Sequence, residues 1–328
     1  MTVPTGDDSP PGAIAYQAFQ RSSPLRALKS RLPNVEFTYR NGRYLTDAVI
    51  AAKQADLVLV FATQWMSEAY DVPDLNLPQG QDDLIEAVAS ANPHTVVVLE
   101  TGGPILMPWL NKTAAVLEAW YPGARGAEAL TSVLVGDVTP SGRLPVSFPA
   151  SLAQLPRPTL PGSETLDPNF GVLPARGQTL SVNYDVEGSD VGYRWYARTG
   201  QAPLFAFGFG LSYTRFESGS LTLSGRHNLR ATLSVRNVGQ RNGAEVAQLY
   251  LVRRAGVPLR RLVGFQKVDL APGERQTVTL ALDPRLLADW RDGGWLIPGG
   301  AYSFALGKSS EELGAESSVE MAARRLAP

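Results

Sequence analysis

The run Leu57-Val58-Leu59-Val60-Phe61 constrains this chain more than any other stretch. It is short, apolar and rich in β-branched residues, with no polar residue alternating among them. Such a strand is buried on both faces, as in a parallel sheet covered by helices. Two further runs, Thr95–Leu99 and Val116–Trp120, follow at spacings that leave room for helices. Helical periodicity is read at Leu45–Ala55, with Thr46 as a candidate N-cap, at Gln81–Ala91, and at Arg125–Val135, which ends on Gly136. This alternation predicts a layered α/β sandwich with a mostly parallel sheet. Nothing before Leu45 reads as a strand, so the α/β unit is expected to be incomplete at its N-terminus.

The pattern then changes twice. From Ala150 to about Asp190 the chain is rich in Pro, Gly, Ser and Asp, which predicts a linker or a loop wrapped over a surface. After Phe216, short strands are read at Leu221–Leu223, Leu229–Val235, Glu245–Leu251, Leu262–Leu270, Thr277–Leu282 and Tyr302–Leu306. Turn residues separate them, and polar and apolar residues alternate within Leu229–Val235, as in an antiparallel β-sandwich. The expected division is residues 1–150 for the α/β unit, 151–215 for the connecting segment and 216–328 for the β-sandwich. The polar tail after Lys308 is expected to fray.

Composition excludes several kinds of chemistry. A formal net charge of -1 favours neither nucleic acid nor an anionic membrane as a partner. No apolar stretch approaches the roughly 20 residues that span a bilayer. The N-terminal residues carry no signal-peptide pattern, which leaves the compartment open, a periplasmic or secreted parent enzyme included. There are no cysteines and 2 histidines, so thiolate and multi-histidine metal sites are excluded and no cofactor is implied. Of the histidines, His94 is placed in a turn before a strand and His227 at a hairpin tip. There is no Gly-x-Ser-x-Gly elbow and no phosphate-binding loop. Carboxylates remain for catalysis.

The loop after Leu57–Phe61 is where a site is expected, because open α/β sheets bind ligands outside the carboxyl ends of their strands. It carries Trp65, Ser67, Glu68, Tyr70 and Asp71. Glu68 is the candidate catalytic carboxyl, and Trp65 a candidate sugar platform, since aromatic faces pack on sugar rings. Position alone also fits an exposed acid in a βα loop. Thr101-Gly102-Gly103-Pro104 ends the second strand and is expected near this loop. Trp109 and Trp120 are expected in the core.

Longer patterns narrow the reading. Trp65-Met66-Ser67-Glu68-Ala69-Tyr70-Asp71, then Leu75-Asn76-Leu77-Pro78 and Gln81-Asp82-Asp83-Leu84-Ile85, resembles the acid/base loop of glycoside hydrolase family 3, the β-glucosidase and β-xylosidase family. Glu118-Ala119-Trp120-Tyr121-Pro122-Gly123, Gly126-Ala127-Glu128-Ala129 and Pro140-Ser141-Gly142-Arg143-Leu144-Pro145 resemble the end of that family's α/β domain. Phe207-Gly208-Phe209-Gly210-Leu211-Ser212-Tyr213-Thr214 resembles the segment leading to its fibronectin type III-like domain. The resemblance spans about Ala55 to Gly307 and implies that Glu68 is the general acid/base. Ala69 departs from it, because glycine is usual there and reaches backbone conformations that alanine avoids.

The family's nucleophile is an aspartate in a (β/α) barrel, for which roughly 250 residues are needed. About 55 residues precede the first clear strand, so the resemblance implies a carboxyl-terminal part that works with a barrel domain or subunit on a β-linked oligosaccharide or glucoside. The isolated chain is then expected to be inactive. A second class also stands: a non-catalytic carbohydrate-binding or interaction protein that keeps the fold.

Overall fold

The computed structural model describes residues 23–66, 72, 74–159, 182–225 and 228–328. They form two compact units, the first comprising the chain up to Trp65, Leu77–Gly103 and Pro108–Asp137. The second takes the described part of Met66–Asn76, Pro104–Met107 and everything from Val138 on.

The first unit is built on three parallel strands in the order β1 (Val58–Thr63), β2 (Thr95–Glu100), β3 (Ala115–Glu118). Val58 is opposite Thr95, and Val96 is opposite Ala115. In the central β2, Val97, Val98 and Leu99 are fully buried, as an uninterrupted apolar run requires. The helices are α1 (Pro24–Arg31), α2 (Leu45–Gln54), α3 (Gln81–Ala91) and α4 (Gly126–Leu134). α2 packs on α3 and α1 on α4. On α3, Ile85, Val88 and Ala89 are buried, the i, i+3, i+4 face of an amphipathic helix.

Three details differ from the sequence reading. Thr46 does not cap α2: the helix begins at Leu45, behind Tyr44, and the cap position makes no side-chain hydrogen bond. Helix α1 was not foreseen; Pro24 opens it in the position where proline is tolerated, and Leu28 alone is buried. β3 stops at Glu118 rather than Trp120, because Trp120 turns to φ +51°, which a strand cannot contain.

The second unit holds the β-sandwich. One sheet has the order β13 (Leu313–Met321), β12 (Gly300–Gly307), β7 (Gly243–Arg254), β8 (Val257–Leu270). The other joins β4 (Phe216–Ser218), β6 (Arg230–Asn237) and β5 (Thr222–Ser224), with β9 (Arg275–Ala281) also paired to β6. Leu233, Val235, Leu249, Leu251, Val278 and Phe304 meet in one core between them. Alternate residues of β6 are buried, as read from the sequence. A small third sheet, β10 (Asp289–Arg291), β11 (Gly294–Ile297) and β14 (Arg324–Leu326), was not foreseen.

The tail after Lys308 does not fray. β13 pairs with β12 along its length, and β14 pairs with β11. β13 looked loose because it lies at a sheet edge, with Gly314, Ala315 and Glu316 turned to solvent. The expected linker over Ala150–Asp190 falls largely on 160–181, outside the described residues. Beside that stretch Arg157 and Glu187 are ion-paired, and Arg157 lies over the Tyr184 ring.

The aromatic segment after α5 (Tyr193–Thr199) is packing material: Tyr193 stacks on Phe207 at 4.5 Å and meets Tyr250 edge-on at 6.3 Å. Its glycines have a steric reason. A Cβ on Gly208 would lie 2.1 Å from Gln248 Oε1, and one on Gly210 would lie 2.3 Å from the Gly142 carbonyl oxygen. No larger residue fits at either position without moving its neighbours.

Candidate active site at the carboxyl edge of the parallel sheet

The loop that follows β1 is held at both of its ends by the first residues of α3. The Gln81 side chain embraces the backbone of Thr63: its Oε1 accepts the Thr63 N–H at 2.8 Å, and its Nε2 donates to the Thr63 carbonyl at 2.8 Å. The same Nε2 donates to the Pro78 carbonyl at 2.8 Å. Asp82 accepts the Leu77 N–H at 2.9 Å and the Trp109 indole N–H at 2.7 Å. Asp82 and Asp83 also stand in the first turn of α3, where negative charge suits the helix dipole. A glutamine and an aspartate that read as an ordinary helix start are the clamp on the loop.

Beyond Thr63 the carboxyl edge collects polar and aromatic groups. Gln64 is 4% exposed, and its Oε1 has no hydrogen-bond partner among the described residues. Its backbone N–H donates to the Glu100 carbonyl at 3.1 Å, and its carbonyl accepts the Tyr121 hydroxyl at 2.5 Å. Trp65 is 58% exposed and Tyr121 53%. At the end of β3, Glu118 Oε1 accepts the Trp120 N–H at 2.8 Å, while Oε2 lies 3.3 Å from the Thr101 hydroxyl. That hydroxyl also donates to the Gly103 carbonyl at 2.8 Å. Burial pushes the Glu118 carboxyl up to about 7, against the pull of its hydrogen bonds from Trp120 and Thr101. Burial raises Glu100 as well.

Of the residues singled out in the sequence, Glu68 lies outside the described residues, and Trp65 stands exposed on this edge. Thr101 sits at the same edge, bonded toward Glu118. Trp109 is fully buried, as expected, and Trp120 is half-buried. His94 lies in the connection between α3 and β2, with Nδ1 3.1 Å from the Asp56 carbonyl oxygen. His227 is outside the described residues, and among those described no cluster of His, Asp and Glu is arranged to hold a metal ion. Sequence reasoning missed Gln64, Glu118 and Tyr121. The signal for Glu118 was present: an acid as the last residue of an apolar strand, followed at once by two aromatics.

The fold defines a class, an α/β domain with its polar edge at the strand carboxyl ends, followed by a fibronectin-like β-sandwich. The chain belongs to glycosyl hydrolase family 3: the C-terminal domain of that family matches residues 2–213, and a fibronectin type III-like domain matches residues 245–310. A β-glucosidase of Rhizobium radiobacter is 42% identical over 289 residues, covering 84% of this chain and 34% of the relative. β-Glucosidase B of Emericella nidulans is 37% identical over 304 residues, covering 88% and 35%.

Among solved structures, the β-glucosidase DesR from Streptomyces venezuelae, in complex with D-glucose, is similar at a TM-score of 0.73 and 41% identity. The match covers 84% of this chain and 35% of DesR. A Bifidobacterium adolescentis family 3 β-glucosidase is similar at a TM-score of 0.80 and 31% identity, with 93% of this chain and 46% of that one covered. The chain thus spans about a third of the length of the curated relatives it matches.

Proposed function

We propose that this chain is the carboxyl-terminal part of a retaining β-glucosidase-type hydrolase, with Glu68 as its general acid/base. The observation that carries the reading is the loop from Trp65 to Ile85, whose family pattern is joined to a stem clamped by Gln81 and Asp82. Retaining glycosidases place two carboxyl groups across the scissile bond. Here Glu68 protonates the leaving oxygen and then acts as base for the incoming water. The second carboxyl, the nucleophile, comes from a barrel domain and is absent from this chain. Trp65 offers an aromatic face to a sugar ring. The working division remains an α/β domain over 1–150, a connecting segment over 151–215 and a β-sandwich over 216–328.

Two measurements test this. The purified chain should not turn over aryl β-glucosides, and robust turnover abolished by Glu68→Gln would overturn the placement of the nucleophile. With a barrel supplied by co-expression, Glu68→Gln should slow disaccharide hydrolysis by roughly 10²–10⁴-fold. A dinitrophenyl glucoside needs little protonation of its leaving group, so glycosylation should suffer far less with it. Azide should then recover turnover by yielding a glycosyl azide. Equal losses on both substrates without azide rescue would remove Glu68 from the role, and sugar binding by the chain alone, independent of Glu68, would favour the non-catalytic reading.

A further inference from the structure

The segment between β3 and α4 is fixed far more tightly than a surface connection requires. Trp120 holds φ +51°, a left-handed conformation that costs a bulky residue of the order of 1 kcal/mol. Its N–H is taken by the Glu118 carboxyl at 2.8 Å. The Pro122 ring lies against Gly126, so closely that a Cβ there would come within 2.6 Å of Pro122 Cγ. Between these two anchors stands Tyr121, whose hydroxyl reaches the Gln64 carbonyl, 57 positions earlier in the chain. A tyrosine side chain has few torsions, so a hydroxyl fixed at its base holds its target with little play. Gln64 is the residue immediately after the Thr63 clamp, and four residues before Glu68.

We propose that Tyr121 is a positioning residue for the Glu68 loop, fixing the first residue of that loop through the Gln64 carbonyl, and that Glu118 fixes Tyr121 in turn. Neither touches the reacting atoms. The thread runs from Glu118 to the Trp120 N–H and through Tyr121 to Gln64, the residue before Trp65. Gln81 clamps Thr63 from one side and Tyr121 pins Gln64 from the other. The role for Glu68 rests on the function proposed above, whereas the pin on Gln64 does not.

The test therefore has two arms. In the full chain labelled with ¹⁵N on its indoles, the Trp65 resonance is assigned by its loss in Trp65→Phe. Tyr121→Phe deletes one hydroxyl and should shift that resonance and speed amide exchange at Gln64–Met66 about 10-fold, with the unfolding midpoint unchanged. Glu118→Ala should shift the same resonance and speed the same exchange, the double variant should add little to either, and Glu118→Gln, which keeps an acceptor for Trp120, should restore most of the wild-type behaviour. An unmoved Trp65 signal with unchanged exchange in Tyr121→Phe would overturn the pin, whatever Glu68 does.

In the barrel-supplemented enzyme, Tyr121→Phe should lower kcat/KM about 10-fold on a disaccharide and leave kcat/KM for the dinitrophenyl glucoside in place, because kcat/KM reports glycosylation and that leaving group needs little protonation. A shifted Trp65 signal with equal losses of kcat/KM on both substrates would keep the pin and refute its tie to acid/base catalysis. Unchanged kcat/KM on the disaccharide with a shifted Trp65 signal would refute the positioning role.

Discussion

Two buried amides, Asn237 in the β-sandwich and Gln64 at the carboxyl edge of the parallel sheet, are satisfied to opposite extents. In the sandwich, Asn237 is fully buried and uses its whole side chain: Oδ1 accepts from the Thr214 hydroxyl and the Gly239 N–H, and Nδ2 donates to the Arg241 and Leu270 carbonyls. In the same unit, Arg143 directs Nη2 to both oxygens of the Glu245 carboxylate at 2.8 Å and Nη1 to the Gly210 carbonyl, while its Nε is left without a partner among the described residues. At the sheet edge, Gln64 keeps a buried Oε1 without a partner among the described residues, Glu118 holds a carboxyl that burial has driven toward neutrality, and Trp120 sits in a strained conformation. A polar group whose partners are all present adds specificity and stability. One left short of partners costs stability, and that cost persists where a site needs the group.

The largest stability effect should come from breaking the Arg143–Glu245 pair. The Arg143 and Glu245 side chains are only 11% and 14% exposed. Arg143→Ala would leave the carboxylate buried with its charge uncompensated, a loss of about 3 kcal/mol by urea denaturation. Arg143→Lys should recover only part of it, because a single ammonium would replace the two nitrogens that hold the Glu245 carboxylate and the Gly210 carbonyl. A loss no larger than that of a surface substitution would show that Glu245 is solvated and would erase the contrast.

Asn237→Ala comes next, at about 2–3 kcal/mol, since it strands two carbonyls, a hydroxyl and an amide that the side chain now satisfies. Thr214→Val removes one of those partners and should cost about 1 kcal/mol, with the two effects less than additive because they share a bond.

How far each region was legible follows from the same difference. The sheet could be read because unbroken runs such as Thr95–Leu99 admit few other fates, and the helix Gln81–Ala91 has the bounds its periodicity suggested. The sandwich could be read where strands alternate, as β6 does, and not where an edge strand such as β13 mixes Gly, Ala, Ser and Glu without clear alternation. The role of Asn237 was not legible, because its four-bond network is made by Thr214, Gly239, Arg241 and Leu270 arriving from three places in the chain. The candidate site was read as a motif containing Trp65 and Glu68. Its support was not: Tyr121 and Gln64 are brought together only by the sheet, and no local pattern announces a contact across that separation. Gln81 looked like a helix-opening polar residue, and its double bond to Thr63 appears only once α3 is docked.

Glu118 gives the effect that depends on pH, and it sharpens the contrast most directly. Its carboxyl titrates near 7 in the folded chain, against an ordinary value of 4.5. Between those two pH values the native state binds more protons than the unfolded one, so the contribution of this group to stability falls as pH rises. The penalty is absent below the lower value and complete above the upper one, with a size of about 1–2 kcal/mol. Glu118→Gln removes the charge and keeps an acceptor for the Trp120 N–H, so it should lack this slope. The comparison is therefore between wild type and Glu118→Gln at pH 4.5 and pH 8. Glu100, raised by burial in the same direction, contributes equally to both proteins and cancels. The variant should gain on wild type by about 1–2 kcal/mol over that interval. A difference that stays flat with pH would mean that Glu118 is ionised and well solvated throughout. In that case the sheet edge would satisfy its polar groups as fully as Asn237 is satisfied in the sandwich.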